Sequence, residues 1–311
     1  MLKDYLRLHF IVLLWGFTAI LGALLKPMPS VELVFWRTLL ASLGLGGLLL
    51  GRRLGWRVSI GEGVRLLGVG ALVAVHWITF FLAARLASVS VCLAGLATLA
   101  LWSSVLEPLV LRRPVRFYEV GLGLLAMLGL YLVAQAELTQ LAGLLVAVLS
   151  AGLSALFSVL NSRLVQRHPP VRLTCYEMVG ACLSIALFLP FYGRYFASDH
   201  ALHLAWHGFD WLWLLLLAGV CTVYAFAASV ELMRRLSAFA VSLTTNLEPV
   251  YGIVLAQILF VLHVPGFGQE RMSLGFYAGT VLILASVLVH PLLDRWNQRR
   301  LRKKEPAEVV V

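Results

Sequence analysis

Apolar residues fill long tracts of this chain, and short polar or basic interruptions separate them. A helix needs about 20 apolar residues to cross a bilayer. Ten stretches qualify, at 8–25, 31–50, 66–84, 87–110, 118–135, 141–162, 172–190, 210–230, 237–262 and 274–293. Apart from 191–209, the connections between them are short, as in helical hairpins. The pattern predicts an all-α integral membrane protein with ten transmembrane helices. Its first tract follows Lys3 and Arg7 in the manner of a signal peptide. "GALLKPMPS" offers no small-x-small cleavage site, however, so this tract is read as a retained first helix.

Composition supports this reading. Hydrophobic residues make up 61% of the 311 and charged residues 13%, with a mean hydropathy of +0.91, against about 45–50% and about 25% in soluble domains. A net charge of +10 would suit a nucleic-acid partner, but its placement argues for membrane topology. With the N-terminus in the cytoplasm, 20 of the 25 Lys and Arg residues fall in cytoplasmic segments. Lys26, Arg85, Arg194 and Arg271 fall on the opposite side, and Arg37 lies within a span. The expectation is a multi-pass protein of the cell (inner) membrane with both termini cytoplasmic and no nucleic-acid partner. The basic tail 294–304 then anchors against anionic lipid. Cys92, Cys175, Cys182 and Cys221 sit in apolar runs without CxxC spacing and read as small buried hydrophobes.

The two halves echo each other. "RLASVSVCLAGL" from Arg85 resembles "RLSAFAVSLTTN" from Arg235, and "LVFWRTLLASL" from Leu33 resembles "LTCYEMVGACL" from Leu173. Five spans per half is an odd number, so equivalent helices run in opposite directions: two inverted five-helix repeats, as in many secondary transporters. The expected division is 1–136, 137–293 and a tail at 294–311.

"ELMRRLSAFAVSLTTNLEPVYGIVLAQILF" (Glu231–Phe260) with "LGFYAGTVLILASVLV" (Leu274–Val289) resembles the last two helices of the drug/metabolite transporter superfamily, specifically its EamA-type ten-helix members. "LLWGFTAI" in the first span and "FWRTLLAS" in the second are similar to the same family. Two departures stand out. The family's Gly-Glu at the end of the fourth span is replaced by Arg112 and Arg113, and any counterpart after the ninth, Gly268 to Glu270, is displaced. The resemblance implies export or exchange of small polar or amphipathic metabolites through a central cavity, without ATP hydrolysis.

A charge at the centre of a spanning helix costs about 2.5–3.5 kcal/mol on insertion scales, so each one asks for an account. Leu-Glu-Pro occurs twice. Glu248 lies ~17 Å into the ninth span, and Pro249 after it cannot bond the Thr245 carbonyl, which predicts a bend there. Glu248 is either a site for a substrate amine or proton, or a structural acid that holds a kink. Glu107, ~7 Å from the cytoplasmic edge, reads as an interfacial acid beside Arg112 and Arg113. By their distances from Arg85 and Arg235, the two acids are not repeat partners.

Arg37 and Glu177 hold corresponding repeat positions with opposite sign, as charges at the two mouths or as snorkelling groups. His76, near the centre of the third span, is a proton relay or a neutral imidazole bonded to a carbonyl or serine. Ser150, Ser154, Ser158 and Ser162 give the sixth span a small polar stripe, with Asn161 at its end, for helix packing or for substrate. Trp15, Trp102 and Tyr224 could stack on a planar ligand or serve as interfacial anchors. Thr98 and Asn246 complete the candidate set, although Asn246 projects about 200° around the helix from Glu248. His200, His203 and His207, beside Asp199, have a spacing that zinc accepts, but an amphipathic interfacial helix accounts for them better.

There is no phosphate-binding glycine-rich loop and no nucleophile elbow, and no catalytic residue, metal site or cofactor is predicted. The reading is a secondary transporter or exporter of small metabolites, amino acids or similar amphipathic solutes, working by alternating access as a monomer or homodimer. An intramembrane scaffold or receptor is one rival. An intramembrane enzyme is the other, and it requires acid/base pairs at one depth that this chain scatters.

Overall fold

The computed structural model describes residues 2–25, 28–87, 89–134, 141–197, 200–263 and 273–302. Lys26, Asp199, Arg271, the Gly268–Glu270 segment and the tail beyond 302 lie outside them. All the regular structure among the described residues is helical: α1 (Leu2–Leu24), α2 (Ser30–Gly51), α3 (Ile60–Leu86), α4 (Val89–Leu96), α5 (Leu99–Leu111), α6 (Phe117–Ala134), α7 (Leu141–Leu164), α8 (Pro170–Tyr195), α9 (Asp210–Ala218), α10 (Ala225–Leu232), α11 (Ala238–Thr245), α12 (Glu248–Val261) and α13 (Leu274–Arg302). A π-helical turn, Gly219–Tyr224, joins α9 to α10. Taken in order, α4 with α5 forms the fourth span, α9 with α10 the eighth and α11 with α12 the ninth. Among the described residues, eight of the ten spans are long and apolar enough to cross a membrane, and Leu99–Leu111 and Phe117–Leu132 are shorter apolar helices.

Local chemistry sets the helix ends. Ser59 caps α3, its Oγ accepting the Glu62 N–H, and Ser237 caps α11 by accepting from Ala240. Pro170 starts α8 where its missing N–H costs nothing. The ninth span does not bend at Pro249 in the manner expected. The helix stops one turn earlier, at Thr245, and Pro249 opens the first turn of α12. The fourth span is also broken, at Ala97 and Thr98, where the Thr98 hydroxyl donates to the Gly95 carbonyl at 2.8 Å.

Those two breaks are repeat partners. Thr98 follows Arg85 by 13 residues, and Glu248 follows Arg235 by 13. The helix contacts have the same symmetry. The first span packs on the eighth and ninth as the sixth packs on the third and fourth. The second packs on the eighth as the seventh packs on the third, while the pairs second–seventh, fourth–ninth and fifth–tenth map onto themselves. Most of these contacts cross between the halves, so the repeats interdigitate.

Glycines allow the closest approaches. A Cβ on Gly16 would stand 2.9 Å from the Gly252 nitrogen and 3.0 Å from the Glu248 carbonyl, so α1 lies directly on the first turn of α12. Gly70 of α3 and Gly180 of α8 meet each other's helix backbones in the same way.

Residues 200–209 do not form the amphipathic helix expected there. Their backbone groups bond to side chains instead: the His203 N–H donates to Glu32 Oε1 at 3.0 Å and the His207 N–H to Asp210 Oδ2 at 2.9 Å. His200 Nδ1 lies 2.9 Å from the Arg194 carbonyl. Among the described residues no cluster of three or more His, Cys, Asp or Glu could hold a metal ion. The four cysteines are free, and Cys92, Cys175 and Cys221 are buried.

Candidate functional site

A cavity of about 100 Å³ lies where the first, third, fourth, sixth, eighth and ninth spans meet, with Arg37 reaching in from the second and Leu130 from the fifth. Its walls differ in character. One is aromatic: Trp15, Trp77, Phe80, Phe157 and Phe226. Phe157 and Phe226 pack with ring centroids 5.9 Å apart, and Trp77 meets Phe226 edge-on at 5.9 Å. Polar groups line it elsewhere: Ser154, Ser158 and Asn161 from α7 and Ser242, Thr245 and Asn246 from the ninth span.

Glu248 opens α12 at the break in the ninth span and faces this cavity. An acid in the first turn complements the positive end of the helix dipole. Thr18 Oγ1 stands 3.4 Å from Glu248 Oε1, and Arg37 is close enough for the two opposite charges to interact. The Arg37 guanidinium sits 3.6 Å over the Trp77 ring and its Nε donates to Thr222 Oγ1 at 2.9 Å. Thr222 lies in the π-helical turn, where the Cys221 carbonyl also accepts the Trp15 indole N–H at 3.1 Å. Such turns commonly mark functional sites, because the widened backbone leaves groups for other partners.

His76 lines the cavity with its Nδ1 2.9 Å from both the hydroxyl and the carbonyl oxygen of Ser150. The serine stripe thus divides its work. Ser150 holds His76, Ser154 and Ser158 face the cavity, and Ser162 donates to its own helix at the Val159 carbonyl. Ala147, Ala151 and Ala155 beside it are fully buried in helix contacts.

Of the candidates, Trp15, Arg37, His76, Ser154, Ser158, Asn246 and Glu248 surround one cavity. Asn246 arrives there despite its angular offset from Glu248, because the helix is interrupted between them and the rotation of 100° per residue no longer holds. The remaining candidates lie elsewhere. Thr98 bonds within its own chain break. Trp102, 40% exposed, stands against Gly152 on the outside, and Tyr224, 44% exposed, meets Phe10. Glu177 is completely buried behind the cavity, facing Asn161. Sequence reasoning did not single out Thr18, Trp77, Phe157 or Phe226. A phenylalanine in an apolar helix carries no mark that separates a cavity wall from a packed core.

Glu107 has the arginine partner expected of it but is buried in protein instead of exposed at the interface. It is 4% exposed, and its Oε2 accepts the backbone N–H of Phe239 at 2.8 Å in the first turn of α11. Its other oxygen pairs with Arg113 at 3.4 Å. Arg113 and Arg116 both pair with buried Glu119, and Arg116 reaches Asp294 of α13 at 3.1 Å. The acid thus ties the fourth, fifth, ninth and tenth spans together at the end where the N-terminus lies. Between this tie and the cavity, Ser103 donates to Ser242 at 2.7 Å.

The sequence model of one family, described as the EamA-like transporter family, matches residues 5–135 and 141–290. No curated protein matches. Among solved structures, 27 chains match. One, titled only "Crystal structure of protein", superposes with a TM-score of 0.73 at 19% identity, covering 94% of this chain and 98% of its own. At that identity the likeness speaks for the fold.

Proposed function

This chain belongs to the EamA-like transporter family, and from that premise we propose that it moves small metabolites, amino acids or similar amphipathic solutes, across the inner membrane by alternating access. It is a membrane transporter of the drug/metabolite type. The observation that supports the finer reading most is the placement of Glu248 and Arg37 in one cavity at a helix break, lined by aromatic and polar side chains. An acid that faces the cavity suits a solute that carries an amine, and the aromatic wall suits its apolar part.

The exchange symmetry of the helix contacts supports alternation. When two inverted repeats trade conformations, a cavity open to one side becomes a cavity open to the other. The ties through Glu107 and Ser103 then belong to the side that must part. The basic residues near both ends support a cytoplasmic side for both termini.

Counterflow in proteoliposomes with a panel of amino acids, nucleosides and drugs tests this. Exchange of at least one solute, reduced in Glu248→Gln, is expected. A panel in which nothing moves counts against transport. Rates in Glu248→Gln and His76→Ala that follow pH as the parent's do would remove both as proton carriers.

A further inference from the structure

The charged groups leave one end of the cavity without an account. There α7 turns Ser154, Ser158 and Asn161 inward, at helical spacings that put all three on one face. Asn161 is fully buried; its amide N–H lies against the Glu177 carboxyl, and its Oδ1 has no hydrogen-bond partner. Asn246, on the broken ninth span and lining the same cavity, is 2% exposed and its Nδ2 is unpartnered. A buried donor or acceptor without a partner is costly, so unpaired amide atoms on a cavity wall mark where a solute's own polar group completes the bonds.

The sign of that group follows from the surroundings. Behind Asn161 stands Glu177, fully buried and close enough to accept from the amide N–H. With its N–H turned to that acid, Asn161 offers the cavity its carbonyl oxygen, an acceptor that a carboxylate head, itself acceptor-only, cannot satisfy. Arg37, the cation of the cavity, is held elsewhere, over Trp77 and against Thr222.

We propose that Asn161, with Ser158 and Asn246, forms a head-group subsite for an uncharged group that presents a donor beside an acceptor, as a carboxamide does, on a small planar or apolar body. The body lies against Phe157 and Phe226. The subsite rests on the transporter reading and narrows it: the preferred solute is neutral at this end.

Benzamide and benzoate, nearly equal in size, are the probes. Their binding to the purified full chain is followed by quenching of tryptophan fluorescence, since Trp15 and Trp77 line the cavity. The parent should bind benzamide at least about tenfold more tightly than benzoate, the scale of one completed buried hydrogen bond. Asn161→Leu should abolish that preference. Ser158→Ala, a smaller change on the same face, should reduce it partway and covers the case in which the leucine variant fails to fold. Equal binding of both probes by the parent, or an unchanged preference in either variant, overturns the subsite. The two readings fail separately. Counterflow of panel solutes without benzamide binding sinks the subsite alone, and Asn161-dependent binding without any counterflow sinks the transport reading alone.

Discussion

Leu106-Glu107-Pro108 and Leu247-Glu248-Pro249 are the same tripeptide in two settings. In the first, the helix runs through the motif: Pro108 lies within α5, and the carboxylate turns to a neighbouring helix to take a backbone N–H and an arginine. In the second, the helix has just restarted. Pro249 opens it, and the carboxylate points into a cavity with a threonine hydroxyl and an arginine charge within reach. One acid is consumed by the fold and the other is left available to a ligand. A tripeptide therefore carries no role of its own, and its position relative to the helix break decides what the acid does. The repeat counterpart of Glu248 is Thr98, so the second half of the molecule carries at its break an acid that the first half lacks.

Substitutions can break this contrast, and the largest effect on stability belongs to the first motif. Glu107→Ala leaves the Phe239 N–H without a partner and Arg113 with Glu119 alone, and should cost about 3 kcal/mol, the upper end for a buried donor left unsatisfied. A thermal melt in detergent reads that loss, and a melt like the parent's would dissolve the distinction drawn here. Gly16→Val comes next. Its side chain meets the Gly252 and Glu248 backbone atoms at the start of α12, and overpacking of this kind costs about 1–3 kcal/mol. Because it pushes on the turn that carries Glu248, counterflow should fall along with the melting temperature.

Glu248→Gln sharpens the comparison by doing the opposite. Its stability should stay within about 1 kcal/mol of the parent, since glutamine keeps the volume and an acceptor for Thr18. Counterflow should nevertheless fall steeply. Large unfolding with intact counterflow would reverse the roles of the two acids. The smallest effect is expected for Trp102→Leu, outside the cavity and 40% exposed: a change within about 0.5 kcal/mol and an unaltered transport rate.

The all-α membrane architecture, its ten spans and the inverted halves were legible from the sequence, because hydropathy, charge bias and an odd span count each act along the chain. Glu248 could be found because an acid among leucines is costly wherever it stands. His76, Ser154 and Ser158 stood out for the same reason, although sequence could not divide the serines between packing and cavity. Three things needed the folded chain. The break in the ninth span falls before its proline, which brings Asn246 to the cavity; the break in the fourth has no proline at all. Glu107 is buried because α11 begins beside it, a meeting of residues 132 positions apart that no local pattern records. The aromatic wall of Trp77, Phe157 and Phe226 is chosen from many similar side chains by which helix faces converge. Hydrophobic tracts settle which segments enter the membrane, since burial in lipid depends on composition alone. Which side chains then meet depends on helix breaks and interhelical registers, and those are settled only by packing.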